Sequence, residues 1–167
     1  HSDMTQPKIE MRLKPMDHFV VLLSFLGLLL LFAIPGYFYG KMPEEIPSHF
    51  DLYGQPDRFS NKELIWFLPA VGMVLFIIIS FAVKYPHRFN YVQKITNRNA
   101  FHQYHLATRL FRSLRLLLIF LIIHLVYGSV QISMGNTTSL NANFSILFFV
   151  SLFCLIIYSF IQAATIK

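Results

Sequence analysis

Residues 19–39, FVVLLSFLGLLLLFAIPGYFY, decide how this chain folds. They include no charged side chain, and a helix or strand formed from them would be apolar on every side. The hydrocarbon core of a bilayer is about 30 Å thick, so a helix of roughly 20 apolar residues can cross it. The segment therefore predicts a membrane-spanning helix. It is too long for the apolar part of a signal peptide and ends without a small-residue cleavage site, so we expect it to be retained.

Three more apolar segments of similar length follow, at 64–83, 116–134 and 144–164. The chain of 167 residues is 55% hydrophobic and 13% charged, which is too apolar for an ordinary soluble domain. Strands of a membrane β-barrel would alternate polar and apolar residues over about ten positions, and these segments do not. We therefore predict an all-α integral membrane protein, built as a bundle of four transmembrane helices.

Lysine and arginine are distributed unevenly between the connecting segments. Three precede the first apolar segment, seven lie between the second and the third, and one ends the chain. The connection between the first and second segments instead holds five acids and three bases. The positive-inside rule then predicts that both ends of the chain are cytoplasmic. A net charge of +6 reflects this topology and attraction to anionic lipid, so we expect no nucleic-acid binding.

The predicted spans divide the chain into four parts. Residues 1–18 form a cytoplasmic N-terminus that begins with a tripeptide resembling a vector remnant. Residues 19–84 form a helix–loop–helix unit with its external loop at 40–63. Residues 85–115 form a cytoplasmic basic loop and helix, and residues 116–167 hold two further transmembrane helices.

The inner segment from Thr96 to Arg115 is predicted to form a helix that continues into the third span, with Thr96 or Asn97 as its N-cap. Basic side chains recur there at spacings of three and four and therefore share one face of this helix. These are Arg98, His102, His105, Arg109 and Arg112. Such a face can lie on anionic lipid or dock a cytoplasmic regulator, and we expect lipid contact.

The external loop holds the densest group of reactive side chains in the chain. Four carboxylates, a histidine and three prolines fall between positions 42 and 62. Prolines fix φ and Gly54 permits a tight turn, so we expect an ordered loop. His49, Asp51 and Asp57 offer nitrogen and oxygen ligands of the kind that a divalent cation takes, so a metal site is one hypothesis for this loop.

A second interpretation of the loop is structural, and we favour it. His49 would bond to backbone groups, and Asp57 would pair with Arg58 or Lys62. Paired carboxylates can also act as general acid and base, but that chemistry needs a substrate pocket, which the sequence does not reveal. We therefore expect no catalytic residues, and no cofactor other than the metal of the first hypothesis.

An ordered pattern of residue types along this loop resembles a known family. It comprises Pro43, Ile46, Pro47, His49, Phe50, Asp51, Gly54, Pro56, Asp57 and Lys62, followed by Pro69 in the second span. The pattern resembles the bacterial membrane domain of unknown function DUF1648, which occurs at the front of proteins similar to SdpI, an immunity protein against a secreted killing peptide. The resemblance covers the first two spans and continues through the inner loop at Phe89, Asn90 and Tyr91.

This chain departs from the family pattern in two ways. Asp51 stands where many relatives are expected to have Asn, and only two spans follow the inner loop, whereas SdpI-type proteins have a longer membrane region. The resemblance implies a multi-pass protein of the bacterial inner (plasma) membrane and brings no catalytic role with it.

His124 lies near the middle of the third span, where an ionisable side chain is costly and usually faces other helices. We expect a neutral histidine that is hydrogen-bonded to a neighbouring helix, and the alternative is a proton or ligand site. In either case it is a membrane-embedded polar residue.

Together these observations predict a non-enzymatic membrane sensor or immunity-like protein. Its outer loop would meet an extracellular peptide or another ligand, and its basic inner helix would signal to a cytoplasmic regulator. The alternative is a small transporter or channel component that uses the helix bundle, with His124 as a gate. Both functions are compatible with a homo-oligomer.

Overall fold

The computed structural model describes residues 6–166 and is predominantly helical. The tripeptide interpreted as a vector remnant lies outside the described residues. The four long helices are α1 (Pro15–Phe38), α2 (Phe67–Ala82), α3 (Ala100–Ser133) and α4 (Ala142–Thr165). Short 3-10 turns lie at Tyr39–Lys41, Lys62–Trp66 and Pro86–Arg88.

The prediction of four membrane-spanning helices is confirmed by the length and composition of these elements. The candidate spans are Pro15–Lys41, Lys62–Ala82, Ala100–Ser133 and Ala142–Thr165. α1 begins four residues before the predicted apolar segment because Pro15 suits the first helical position, where no backbone donor is needed.

The loop that was predicted to be external contains two strands, which corrects the all-α prediction. It forms an antiparallel hairpin of β1 (Glu45–Phe50) and β2 (Pro56–Asn61), between α1 and α2. The apolar side chain of Ile46 is buried in the core that the helices share, so β1 is fixed against the bundle. The pairing slips on both sides of His49, and this irregularity obscures the two-residue alternation that marks a strand in a sequence.

α3 is the central helix, since it packs against α1, α2, α4 and β1. Its 34 residues extend about 51 Å, whereas the hydrocarbon core of a bilayer is about 30 Å thick. The predicted continuity of the inner helix with the third span is therefore confirmed, and α3 is about 20 Å longer than such a core is thick.

The predicted N-cap of this helix was wrong. α3 begins at Ala100, with Asn99 as its N-cap. The Asn99 side chain accepts a hydrogen bond of 2.9 Å from the N–H of Thr96, and the Thr96 hydroxyl accepts one of 3.3 Å from the N–H of Asn99. These two bonds close a turn of their own, so the helix starts only after it.

Contacts between side chains fix the relative directions of the helices. Near the start of α1, Asp17 meets Arg109 of α3, and ten residues later Gly27 meets Ile119, so α1 and α3 are parallel. α2 runs the opposite way, since its late residue Ser80 bonds to Arg115. The hairpin and the α3–α4 connection share one end of the bundle, the hairpin end. The N-terminal segment and the α2–α3 connection share the other, which we call the basic end.

Small residues allow the helices to approach closely. A Cβ atom added to Gly27 would lie 2.8 Å from Ile119, and one added to Gly72 would lie 2.7 Å from Leu31. Such contacts stabilise helix pairs in lipid, where the hydrophobic effect does not drive association. Leu31 is fully buried at the centre of this packing.

The tip of the hairpin is tied to the α3–α4 connection. Gly54 has a φ of +78°, and its carbonyl accepts a hydrogen bond of 2.8 Å from the N–H of Leu140. The Asp51 carboxylate closes the turn by accepting bonds of 2.8 and 2.9 Å from the N–H groups of Tyr53 and Gln55. The expectation of an ordered loop is confirmed by this arrangement.

We predict that Gly54→Ala destabilises the protein more than Gly135→Ala does. Both glycines have positive φ, at +78° and +75°, so either alanine is strained by about 1–2 kcal/mol. A Cβ at Gly54 would also lie 3.0 Å from the Cβ and the carbonyl oxygen of Leu140, whereas a Cβ at Gly135 meets nothing within 4 Å. Gly54→Ala should therefore lower the free energy of unfolding by about 1 kcal/mol more than Gly135→Ala does, measured by unfolding of the protein in detergent. Equal losses in the two variants would contradict the docking of the hairpin tip.

Candidate functional site at the two ends of α3

The first candidate site lies on the hairpin. The Nδ1 atom of His49 lies 2.6 Å from Oδ1 of Asp57 across the two strands, and the two side chains are 60% and 48% exposed. The Lys62 ammonium donates to the Glu44 carboxylate at 2.8 Å. The favoured pairing of Asp57 with Arg58 or Lys62 was therefore wrong, because the strand register sets His49 opposite Arg58 and beside Asp57.

The hypothesised metal set is not brought together. His49 and Asp57 are in contact, but the Asp51 carboxylate bonds to the backbone of the turn instead. Within residues 6–166, no group of three His, Cys, Asp or Glu side chains is arranged to hold a metal ion. Asp51 lies in the short loop between the strands, where its carboxylate accepts the hydrogen bonds that close the turn. It therefore does not join His49 and Asp57.

A cavity of about 310 Å³, here called the outer cavity, lies between the hairpin and the helices. Its walls are mainly apolar, with the ring of His49 at one side. They are formed by Ile46, Pro47, Ser48, His49, Phe50, Leu64, Ile65, Phe67, Leu68, Leu125, Val126 and Ser129. This volume is at the lower limit for a small-molecule pocket and is sufficient for one large apolar side chain.

The remaining motif residues mostly shape the hairpin. Ile46 and Pro47 are buried, whereas Pro43 is exposed on the approach to β1 and Pro56 opens β2. Pro69 lies buried in the first turn of α2. The motif residues thus form much of the two strands and part of the wall of the outer cavity.

The second candidate site lies at the basic end and is built around Asp17, which is 1% exposed. Its carboxylate accepts a bond of 2.9 Å from the N–H of Lys14. Three basic side chains surround it: Arg109 at 3.4 Å, Arg112 at 3.9 Å and His105 at 4.0 Å. We call these four side chains, Asp17, His105, Arg109 and Arg112, the charge cluster.

The charge cluster changes the interpretation of the basic face. His105, Arg109 and Arg112 turn toward α1, while Arg98 and His102 remain exposed to the surroundings. Sequence reasoning missed Asp17. The sequence does show a carboxylate in the first turn of an apolar span. Its partner Arg109, however, lies 92 residues further along the chain.

The segment between α2 and α3 is held to the start of α3 by aromatic contacts. The rings of Tyr91 and Tyr104 lie 5.5 Å apart, and the Tyr91 hydroxyl donates to the Pro86 carbonyl at 2.9 Å. Burial raises the pKa of the Tyr91 phenol, and the neighbouring Tyr104 adds to this effect. Tyr91 therefore acts as a neutral hydrogen-bond donor and not as an acid.

His124 is half-buried on α3 and stacks on Phe144 of α4, with ring centres 4.2 Å apart. Its Nε2 atom has no hydrogen-bond partner among the described residues. We expected a hydrogen bond from His124 to a neighbouring helix. At Nε2 the structure shows no such bond, and the ring instead stacks on Phe144. His124 thus helps to hold α4, which buries only Phe148 and Ser159.

Two comparisons with known proteins each match part of the chain. Residues 26–73 match a family described as "Domain of unknown function (DUF1648)". An archaeal protein from Archaeoglobus fulgidus, described as "Uncharacterized protein", is 37% identical over 62 residues. That alignment covers 37% of this chain and 34% of the relative, so the chain spans about a third of the relative's length. No solved structure matches the chain.

These matches support the DUF1648 part of the sequence resemblance, from the middle of α1 through the hairpin into α2. The likeness of the inner loop to the same family and the likeness to SdpI-type immunity proteins stay predictions.

We predict that Asp17→Asn strongly destabilises the protein. The substitution leaves Arg112 and His105 without their nearest negative charge, and breaking a buried ion pair in this way typically costs about 3 kcal/mol or more. Asp57→Asn is the matched control, because its pair with His49 is largely exposed and such pairs contribute about 1 kcal/mol at most. Thermal unfolding in detergent checks both variants.

A double variant sharpens this test. When Arg112→Gln is added to Asp17→Asn, the combined loss should be smaller than the sum of the two single losses, since the two residues share one interaction. Additive losses would show that Asp17 and Arg112 are not coupled.

Proposed function

We propose that this chain is a non-enzymatic sensor or immunity-like protein of the bacterial inner membrane. In this proposal the hairpin is extracellular, and an extracellular peptide binds at the outer cavity. The observation that carries it is that the single helix α3 contributes Leu125 and Val126 to the outer cavity and Arg109 and Arg112 to the charge cluster. A change at one end of α3 can thus reach the other end.

The distribution of charge supports the orientation. Ten lysine and arginine residues lie in the N-terminal segment, the α2–α3 connection and the first half of α3, all at the basic end. The positive-inside rule assigns this end to the cytoplasm. The hairpin end would then face outward and the basic end would meet a cytoplasmic regulator.

The chemistry of the hairpin end favours a cationic, amphipathic peptide. Residues 40–63 hold five acids and three bases, a net charge of −2, which attracts positive ligands. The outer cavity beneath them offers apolar walls for one anchoring side chain. The predicted likeness of the loop motif to SdpI-type immunity proteins, which act against a secreted peptide, would also fit a peptide ligand.

The charge cluster provides the receiving end of the signal. Val126 and Arg112 are 14 residues apart on α3, about 21 Å along the helix axis. A ligand wedged between the hairpin and α3 would shift α3 relative to α1. The contacts of Asp17, at 3.4 to 4.0 Å, would lengthen or shorten with that shift.

The transporter alternative has less support from the geometry. Leu31, Ile122 and Val126 fill the space between α1, α2 and α3, where a path through the bundle would have to run. An ion flux in liposomes that required both the protein and His124 would favour the alternative over the sensor.

We predict that cells carrying this protein survive a cationic membrane-active peptide better than cells without it, and that Leu125→Trp removes the difference. The indole would occupy the outer cavity and weaken peptide binding about tenfold, equivalent to about 1.4 kcal/mol. Leu147→Trp is the matched control, since Leu147 is 64% exposed on α4 and lies away from the outer cavity. Binding of the peptide to protein in nanodiscs provides the direct measurement.

Equal survival with and without the protein would remove the immunity proposal. Survival that Leu125→Trp and Leu147→Trp change equally would remove the outer cavity as its site.

A further inference from the structure

Arg115 of α3 is buried at the basic end with part of its guanidinium unused. The residue is 3% exposed, its Nη1 donates to the Ser80 hydroxyl at 2.7 Å, and its guanidinium carbon lies 4.4 Å from the centre of the Phe76 ring. Its Nε and Nη2 atoms are buried and have no hydrogen-bond partner among the described residues. A buried cation with unsatisfied donors is costly, so the arrangement calls for an anion.

The two unused donors share one edge of the guanidinium. Nε–H and Nη2–H point the same way and form the fork that binds two oxygens of a carboxylate or phosphate. Asp17, the buried carboxylate nearby, is already engaged by Arg109 and Arg112. The fork of Arg115 therefore has no oxyanion partner among the described residues.

Arg115 lines a cleft of about 770 Å³ at the basic end, here called the basic cleft. The cleft lies between the N-terminal segment, α1, the end of α2 and α3. Its polar side chains come from Lys8, Glu10, Ser80, Lys84, Tyr85, His87, Arg88, Arg112 and Arg115. Glu10 is the one acid among its lining residues, so the cleft carries a net positive charge.

The depth of the basic cleft matches that of lipid phosphates. Arg115 is 18 residues from Ser133 at the other end of α3, about 27 Å along the axis, which is close to the thickness of the hydrocarbon core. Ser80 lies two residues before the end of α2. The remaining wall is apolar, with Leu13 and Val21 among its residues, and could take the upper part of an acyl chain.

We propose that the basic cleft binds a phosphate oxyanion, and that the headgroup of an anionic phospholipid supplies it. Two phosphate oxygens take the Nε and Nη2 donors of Arg115, and the exposed Lys84 and Arg88 attract the headgroup from the cleft's mouth. Basic pockets between transmembrane helices bind anionic headgroups in this way. The site is separate from the outer cavity and does not depend on a ligand there.

The test is thermal unfolding and native mass spectrometry of the purified full chain in detergent, titrated with phosphatidylglycerol. Parallel arms use phosphatidylcholine and inorganic phosphate at the same concentration. We expect phosphatidylglycerol to raise the unfolding temperature and to remain bound, with about tenfold weaker binding in Arg115→Gln. Arg58→Gln, which changes an exposed arginine of β2 outside the cleft, should bind as the wild type does.

Three outcomes would overturn the proposal. Equal binding by Arg115→Gln and the wild type would remove the site, and an equal effect of phosphatidylcholine would show that any lipid suffices. An equal effect of inorganic phosphate would assign the cleft to a free anion. If Arg115→Gln does not fold, Lys84→Gln and Arg88→Gln together, both at exposed positions, must weaken phosphatidylglycerol binding for the proposal to survive.

Discussion

The parallel packing of α1 against α3 is the interaction on which the other features depend. Gly27 lets the two helices approach until a Cβ would overlap Ile119, and the Asp17 carboxylate fixes the same pair at the basic end. Because α3 also contacts α2, α4 and β1, its position against α1 sets the position of everything else. The outer cavity and the charge cluster are therefore linked through the packing of this one helix pair.

The long apolar runs made the four helices predictable, because crossing lipid requires about 20 apolar residues and admits few other structures. The motif around His49 and Gly54 indicated where the reactive loop lies. The hairpin was not predictable in the same way. Its strands are six residues long, and their register slips beside His49. The sequence therefore lacks the regular alternation of polar and apolar residues that predicts a strand.

The charge cluster was harder to foresee, because it depends on which helices are parallel. Spacing predicts that His105, Arg109 and Arg112 share one face, but it does not reveal a counter-charge that comes from another helix. Asp17 supplies that charge from another helix. The metal hypothesis fails for a local reason, because the Asp51 carboxylate accepts hydrogen bonds from the N–H groups of Tyr53 and Gln55 in its own turn.

The distance in sequence between Asp17 and Arg109 has a consequence for biogenesis. At about 5–20 residues per second, the 92 residues between them take roughly 5–18 s to synthesise. During that time the rest of α1 and the whole of α2 are synthesised, and the Asp17 carboxylate still lacks the arginines that surround it in the folded protein. The ion pairs that join α1 to α3 can therefore form only after α2 and the first part of α3 have been made. Packing of α1 against α3 is thus a late step in the assembly of this bundle.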